Sequence, residues 1–278
     1  MTDIRIDAHQ HFWKLGNAWT DWPTPAEGLI YRDYGPADLE PLIGNAGIEK
    51  TILVQAAAAV EETHDLVGLA KVAPFVAGIV GWIDFEAPQK ALGDLERLKK
   101  VSVFKGVRPM LQSIEDTKWI LSEGFRPIFS KLENEGLSFD ALVQPRHLPV
   151  VSMLADRYPD LSIIIDHCAK PDIAGNNLSD WGADMAKCAE RANIVCKISG
   201  LLTEASPGAG LEDITPVFEH CLNVFQPGRL LWGSDWPVVN LNGDYAHWCN
   251  LTDQLMAPLS LDEQASIMGG TAMRTYRL

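Results

Sequence analysis

His9 and His11, two residues apart near the start of the chain, are the first residues whose types and spacing could do chemistry. Side chains alternate along an extended strand, so both imidazoles are expected on one face. Two converging imidazoles are a natural ligand pair for zinc or a similar divalent cation. Asp7, at the same strand end, is available to orient a ring from behind. Asp235 ends the last apolar run, Leu230-Leu231-Trp232-Gly233-Ser234. A carboxylate there suits a general base, which takes a proton from water and returns it to a leaving group. It can also touch a metal, so His9, His11 and Asp235 are the expected ligands of a single divalent ion. His167 closes Ile163-Ile164-Ile165-Asp166 and reads as a third ligand or as a donor to a substrate carbonyl. Each residue has a plainer alternative. A histidine can pack and bond to backbone, and an aspartate before Trp236-Pro237 can cap a loop.

Eight short apolar, β-branched runs must position these groups: Ile4–Asp7, Thr51–Gln55, Val76–Trp82, Val103–Val107, Leu137–Val143, Leu161–Asp166, Ile194–Ser199 and Arg229–Gly233. Helical patterns separate them at Pro36–Asn45, Val60–Val72, Ala87–Leu98, Phe125–Glu135, Leu148–Arg157, Asp180–Arg191, Asp213–Phe225 and Tyr245–Met256. Such alternation calls for a parallel sheet covered by helices. Eight units in one unbroken chain favour a single (β/α)8 TIM-type barrel over residues 1–278, with some distortion allowed. Ser179 and Ser260 are expected helix caps, the second with Glu263 in a capping box, and Gly136 suits a helix end. The stretch 16–34 lacks periodicity and is rich in Trp, Pro and Gly. It is expected to be an extended loop after strand 1 that walls a site.

Barrel enzymes carry their chemistry at the C-terminal ends of the strands. That rule selects Gln55 on strand 2, Trp82 on strand 3, Lys105 and Arg108 on strand 4, and Trp236 after strand 8. Trp13 and Trp22 join them from the first loop. Tryptophan faces stack on sugar rings, and Gln55, Lys105 and Arg108 can bind hydroxyl or carboxylate oxygens. These seven residues form the expected substrate-binding set. Lys197 lies among apolar neighbours and can neutralise Asp235 or Asp166; Lys170 reads either way.

The chain has 278 residues and a formal net charge of −14. An acidic surface disfavours nucleic acid and anionic membrane as partners. No apolar run approaches the roughly 20 residues that span a bilayer, and no secretory signal is visible. Five cysteines form no C-x-x-C pair, which fits free thiols in a reducing compartment. A cytoplasmic location is the expectation.

The motifs D-x-H-x-H-x-W at Asp7–Trp13, K-G-V-R at Lys105–Arg108, D-H-C-A-K-P at Asp166–Pro171, K-I-S-G at Lys197–Gly200 and G-S-D-W-P at Gly233–Pro237 run in order along the chain. Together they resemble the amidohydrolase superfamily. Within it they resemble the amidohydrolase-2 branch, which holds sugar-acid lactonases (L-fuconolactonase and L-rhamnonolactonase) and 2-pyrone-4,6-dicarboxylate lactonases. The resemblance implies a barrel with His9, His11, His167 and Asp235 at its centre, Asp235 being the general base. Members of the branch hold one divalent ion or none. A two-metal site would need a carboxylated strand-4 lysine, for which Lys105 is the candidate, and a strand-5 histidine. His147 lies past Pro145, so a single ion, zinc, or none is expected. The expected activity is opening of an aldonolactone ring by water, a carboxylic-ester hydrolysis in carbohydrate metabolism. The expected partner is a small-molecule lactone, with a homo-oligomer allowed. A nonoxidative decarboxylase of an aromatic or unsaturated acid and a noncatalytic small-molecule-binding barrel are the alternatives.

Overall fold

The computed structural model describes residues 4–20 and 22–278. Eight parallel strands are hydrogen-bonded in chain order: β1 (Ile6–Gln10), β2 (Lys50–Val54), β3 (Val76–Gly81), β4 (Phe104–Val107), β5 (Ser138–Ala141), β6 (Ile163–Ile165), β7 (Ile194–Ile198) and β8 (Leu230–Trp232). Between them run α1 (Pro36–Ala46), α2 (Val60–Ala70), α3 (Pro88–Leu98), α4 (Arg126–Glu135), α5 (Leu148–Arg157), α6 (Ser179–Ala189) and α7 (Leu211–Phe225). After β8 come α8 (Tyr245–Met256), α9 (Leu261–Ala265) and α10 (Thr271–Thr275). This is the (β/α)8 barrel that the alternating pattern predicts. The bounds of the seven connecting helices and of α8 fall within two residues of the periodic segments.

The local reasons are ordinary. Ser260 caps α9 through the Glu263 backbone N–H, and Glu263 answers in a capping box. Gly136 ends α4 in the left-handed conformation, at φ 64°. Ser179 differs from expectation: it is the first residue of α6 and makes no capping bond. Among the described residues no helix is long and apolar enough to cross a membrane.

Inside the barrel, Ile6, Ala8, Ile52, Val54, Val80, Ile164 and Leu231 pack together with Ala272 and Tyr276. The larger outer core joins the helices to the opposite faces of the strands, with Leu53, Ile79, Phe139 and Trp232 among its members. β1 carries an irregularity that matters for the site. It pairs Ile6 with Lys50 and Asp7 with Thr51, but Gln10 with Leu53, so β1 holds one extra residue. A bulge of this kind re-aims the side chains beyond it. Asp7 therefore faces outward, where its Oδ2 accepts from Tyr245 of α8 at 3.1 Å. His9 and His11 turn inward. Strict alternation from Ile6 would send His9 outward with Asp7, and the extra residue prevents it.

The barrel closes past the end of β8 rather than along it. Asp235 N donates to His9 O at 2.8 Å, and His11 N donates to Trp236 O at 2.7 Å. Asp7 Oδ1 accepts from the backbone of Ser234 at 2.8 Å and of His9 at 3.1 Å. Asp7 thus fixes the backbone at the seam and does not orient an imidazole, which corrects its expected role. Gly233 permits the approach, since a Cβ there would lie 2.7 Å from the His9 Cβ.

Candidate active site

Four side chains from three segments meet at the C-terminal mouth of the barrel. His11 Nε2 is 3.2 Å from His9 Nε2 and 3.3 Å from Asp235 Oδ1. The same oxygen is 3.7 Å from His9 Nε2 and 3.8 Å from His167 Nε2. All four residues are buried.

Each imidazole is held from behind. His11 Nδ1 lies 2.8 Å from Val54 O, and a carbonyl can only accept, so this nitrogen carries the proton. His167 Nδ1 lies 2.9 Å from Ser199 Oγ. His9 Nδ1 faces Lys197 Nζ at 3.1 Å and Asp166 Oδ1 at 3.4 Å, while Arg108 Nη1 approaches His9 Nε2 at 3.2 Å. A guanidinium only donates, so His9 Nε2 is an acceptor. His167 begins four successive left-handed residues, His167 to Lys170, with φ 52°, 50°, 60° and 53°; Asp235 also has φ 57°. Left-handed backbone is unfavourable for residues with a Cβ, and such outliers gather where a side chain must be aimed.

Burial drives all three imidazoles towards the neutral form, His167 to about 4 and His9 well below its usual value. Burial works against ionisation of Asp235, and the surrounding rings of His167, His11 and His9 favour it only in so far as they carry a proton. The neutral rings leave acceptor nitrogens, His9 Nε2 and His11 Nε2, close to each other and to a carboxylate oxygen, with Arg108 Nη1 as a donor to the first. Three acceptors this close repel unless a cation lies among them. Tetrahedral zinc with bonds of about 2.0–2.1 Å separates its ligand atoms by about 3.3–3.4 Å. The observed 3.2, 3.3 and 3.7 Å are close to that spacing. The donor set therefore fits one divalent ion, and His9, His167 and Asp235 form a second compatible triad.

A buried ionic lattice supports the cluster from below. Lys197 Nζ lies 2.6 Å from Asp140 Oδ2 and 2.9 Å from Asp166 Oδ1. Tyr276 donates to Asp140 Oδ2 at 2.6 Å, and Arg108 Nη1 lies 3.4 Å from Asp166 Oδ2. Burial pushes the Asp140 carboxyl up. It also opposes ionisation of Asp166, yet Lys197, His9 and Arg108 hold that group well below its usual range. The sequence offers Asp235 or Asp166 as the partner of Lys197, and the structure pairs it with Asp166 and with Asp140, which, like Tyr276, the sequence does not single out. Asp140 was detectable as a lone charge inside the apolar run Leu137–Val143. Tyr276 carries no such signal, because its partner is 136 residues away.

Above the cluster opens a cavity of about 610 Å³, lined by His11, Arg108, His167 and Asp235 and by the apolar side chains of Met110, Leu142 and Val238. Trp19, Thr20 and Trp22 close one flank, so the long first loop does wall the site. Of the expected substrate-binding residues, Trp22 and Arg108 line this cavity. Gln55 is buried behind it, its Nε2 donating to Arg108 O at 2.7 Å. Trp13 and Trp236 instead pack edge-on against Tyr34, and the Trp13 indole donates to Arg32 O at 2.9 Å. Trp82 is half-buried outside the lining, its backbone tied to Thr63 Oγ1. Lys105 is also displaced. β4 begins at Phe104, so Lys105 sits at the opposite end of the barrel and donates to Arg277 O at 3.1 Å. His147 Nδ1 bonds within its own turn at Gln144. Neither side chain reaches the cluster to build a two-metal site.

The amidohydrolase profile matches residues 6–278. The chain belongs to the amidohydrolase family. Its relatives include an L-fucono-1,5-lactonase of Burkholderia ambifaria, 41% identical over 99% of this chain and 96% of that protein. An L-fucono-1,5-lactonase of Burkholderia multivorans is 34% identical over 100% of this chain and 97% of the relative. Among solved structures, a Burkholderia multivorans amidohydrolase crystallised with bound zinc superposes with a TM-score of 0.93. It is 34% identical, with 99% of each chain covered. In this amidohydrolase the family's barrel and a compact His/Asp cluster occur together.

Proposed function

We propose that this amidohydrolase is a lactonase that opens the ring of a sugar-acid lactone by water attack on the carbonyl, with Asp235 as the general base. One observation carries the reading. The ionised Asp235 meets His9, His11 and His167 at the floor of a substrate-sized cavity, in a chain 41% identical to an L-fucono-1,5-lactonase.

Asp235 accepts a proton from water as the oxygen adds to the carbonyl carbon. The developing oxyanion is met by groups of the cavity wall. Arg108 supplies a fixed positive charge, and its buried Nε has no hydrogen-bond partner among the described residues. His167 lies on the other side of Asp235, backed by Ser199. Collapse breaks the bond between the carbonyl carbon and the ring oxygen, and Asp235 returns its proton to the leaving alkoxide. The product is a hydroxy-carboxylate. A divalent ion, zinc by the donor set and by the relative crystallised with it, would be held by His9, His11 and Asp235. Bound there, such an ion lowers the pKa of water and polarises a carbonyl.

The test is a pH-indicator screen of aldonolactones, run with and without chelator, beside an assay of carbon dioxide release from aromatic acids. Acid release from at least one aldonolactone and no carbon dioxide is expected. Asp235→Asn should lower kcat by about 10²–10⁴-fold with the fold retained. Undiminished turnover in that variant would remove Asp235 from the mechanism.

A further inference from the structure

Lys170 and Glu204 form a pair that the chemistry above leaves unused. Lys170 Nζ lies 3.2 Å from Glu204 Oε1, and each side chain is 25% exposed. Lys170 lines two cavities at once. One is the catalytic cavity, and the other is an adjoining polar cavity of about 320 Å³ whose wall also includes Glu204. The left-handed run that presents His167 ends at Lys170, so one turn delivers both side chains to the same space.

The terminal nitrogens of the neighbouring cations are engaged. Arg108 is directed at Gln55 O, His9 and Asp166. Arg146 donates to the carbonyls of Gln112, Ile114 and Glu115 and to Gln144 Oε1. Lys170 contacts one carboxylate oxygen. An ammonium has three donors and a carboxylate about four acceptor sites, so both groups keep capacity. A free donor beside a free acceptor is the complement of two adjacent hydroxyls, each of which both donates and accepts.

We propose that Lys170 and Glu204 are a specificity-determining pair that binds a vicinal diol of the lactone, at the neck between the catalytic cavity and the outer polar one. This rests on the lactonase reading and sharpens it, because it selects polyhydroxylated lactones over simple alkyl ones. A site built to bond a hydroxyl rejects the analogue that lacks it, since its polar groups are then left unpaired.

The experiment compares two six-membered rings. One is the 1,5-aldonolactone turned over fastest in the screen, and the other is δ-valerolactone, which bears no hydroxyl. Both are assayed with wild type, Lys170→Met and Glu204→Gln, and folding is checked by circular dichroism and thermal melting. Each variant should raise KM for the aldonolactone by about tenfold or more, the scale of a hydrogen bond to a charged group. Its kcat should change little, and kcat/KM for δ-valerolactone should stay the same. A wild type that accepts only the hydroxylated ring also supports the pair, provided Lys170→Met raises that KM. An equal loss on both rings would make the pair a structural ion pair and overturn the proposal, as would unchanged KM on the aldonolactone. A wild type inactive on every lactone would remove the lactonase reading, and this inference with it.

Discussion

His11 Nε2 stands 3.3 Å from Asp235 Oδ1 although 224 residues separate them in the chain. The His11 proton is on Nδ1, committed to Val54 O, so the nitrogen facing the carboxylate is a bare acceptor. Zinc should therefore bind with one ion per chain. His11→Asn should weaken it by more than about a hundredfold, beyond what loss of an outer-shell partner costs. Lys105→Ala, at the far end of the barrel, should bind zinc as wild type does. Equilibrium dialysis against zinc measures both. Two ions per chain, or a zinc affinity lost with Lys105, would refute the single-ion assignment.

Lys197 is the cation between Asp140 and Asp166, all three fully buried. Lys197→Met leaves two carboxylates facing each other in the barrel interior. A loss of about 3–5 kcal/mol in urea unfolding is expected, the cost of breaking a buried pair from one side. Adding Asp140→Asn to that variant should restore part of it. A double variant less stable than Lys197→Met alone would show that the cation is not what Asp140 needs.

Glu62 accepts from Ala56 N and Ala57 N at 3.0 and 2.8 Å and so ties down the loop after β2, which lines the catalytic cavity. Burial lifts its carboxyl from 4.5 to about 7. The folded protein thus holds this proton more tightly than the unfolded chain. Stability from this group is present below pH 4.5 and is lost as pH rises to about 7. Relative to Glu62→Gln, the wild type should lose up to about 3 kcal/mol across that window and nothing further above it. Urea titrations at half-unit steps follow the difference; a difference that grows above pH 7 instead would contradict the assignment.

Gly200 has φ 65°, and a Cβ there would lie 2.6 Å from His167 Nδ1, the atom bonded to Ser199. Gly200→Ala should cost about 1–2 kcal/mol through its left-handed backbone alone. The displaced His167 should lower kcat more than stability. If kcat is retained while the melting temperature falls, His167 does not depend on that contact.

The barrel was readable because eight β-branched runs and eight amphipathic segments alternate without interruption, and tertiary contacts shift those helix ends by two residues at most. His9, His11, His167 and Asp235 were readable because strand ends in a barrel converge whatever their sequence separation. The errors have local causes. An extra residue in β1 is invisible to a period-two count, so the sequence does not show that Asp7 faces away from the imidazoles it is expected to orient. Lys105 is expected at a strand end although it lies near the beginning of the run Val103–Val107, as it does in β4. Tryptophans near strand ends look alike in sequence, whether they line the cavity above the His/Asp cluster, as Trp22 does, or pack against Tyr34 away from it, as Trp13 and Trp236 do. Lys170 was left undecided, since its use depends on a backbone turn that residue types do not announce.

The final closure of the barrel has a consequence for how the enzyme can fail. His9 and Asp235 are joined through their main chains at 2.8 Å, and His11 and Trp236 at 2.7 Å, so the segments that carry the His/Asp cluster are themselves the fastener of the first and last strands. Heat or denaturant that parts this join separates Asp235 from the imidazoles in the same motion. Activity should vanish with the first opening of the join, ahead of any melting of the outer helices.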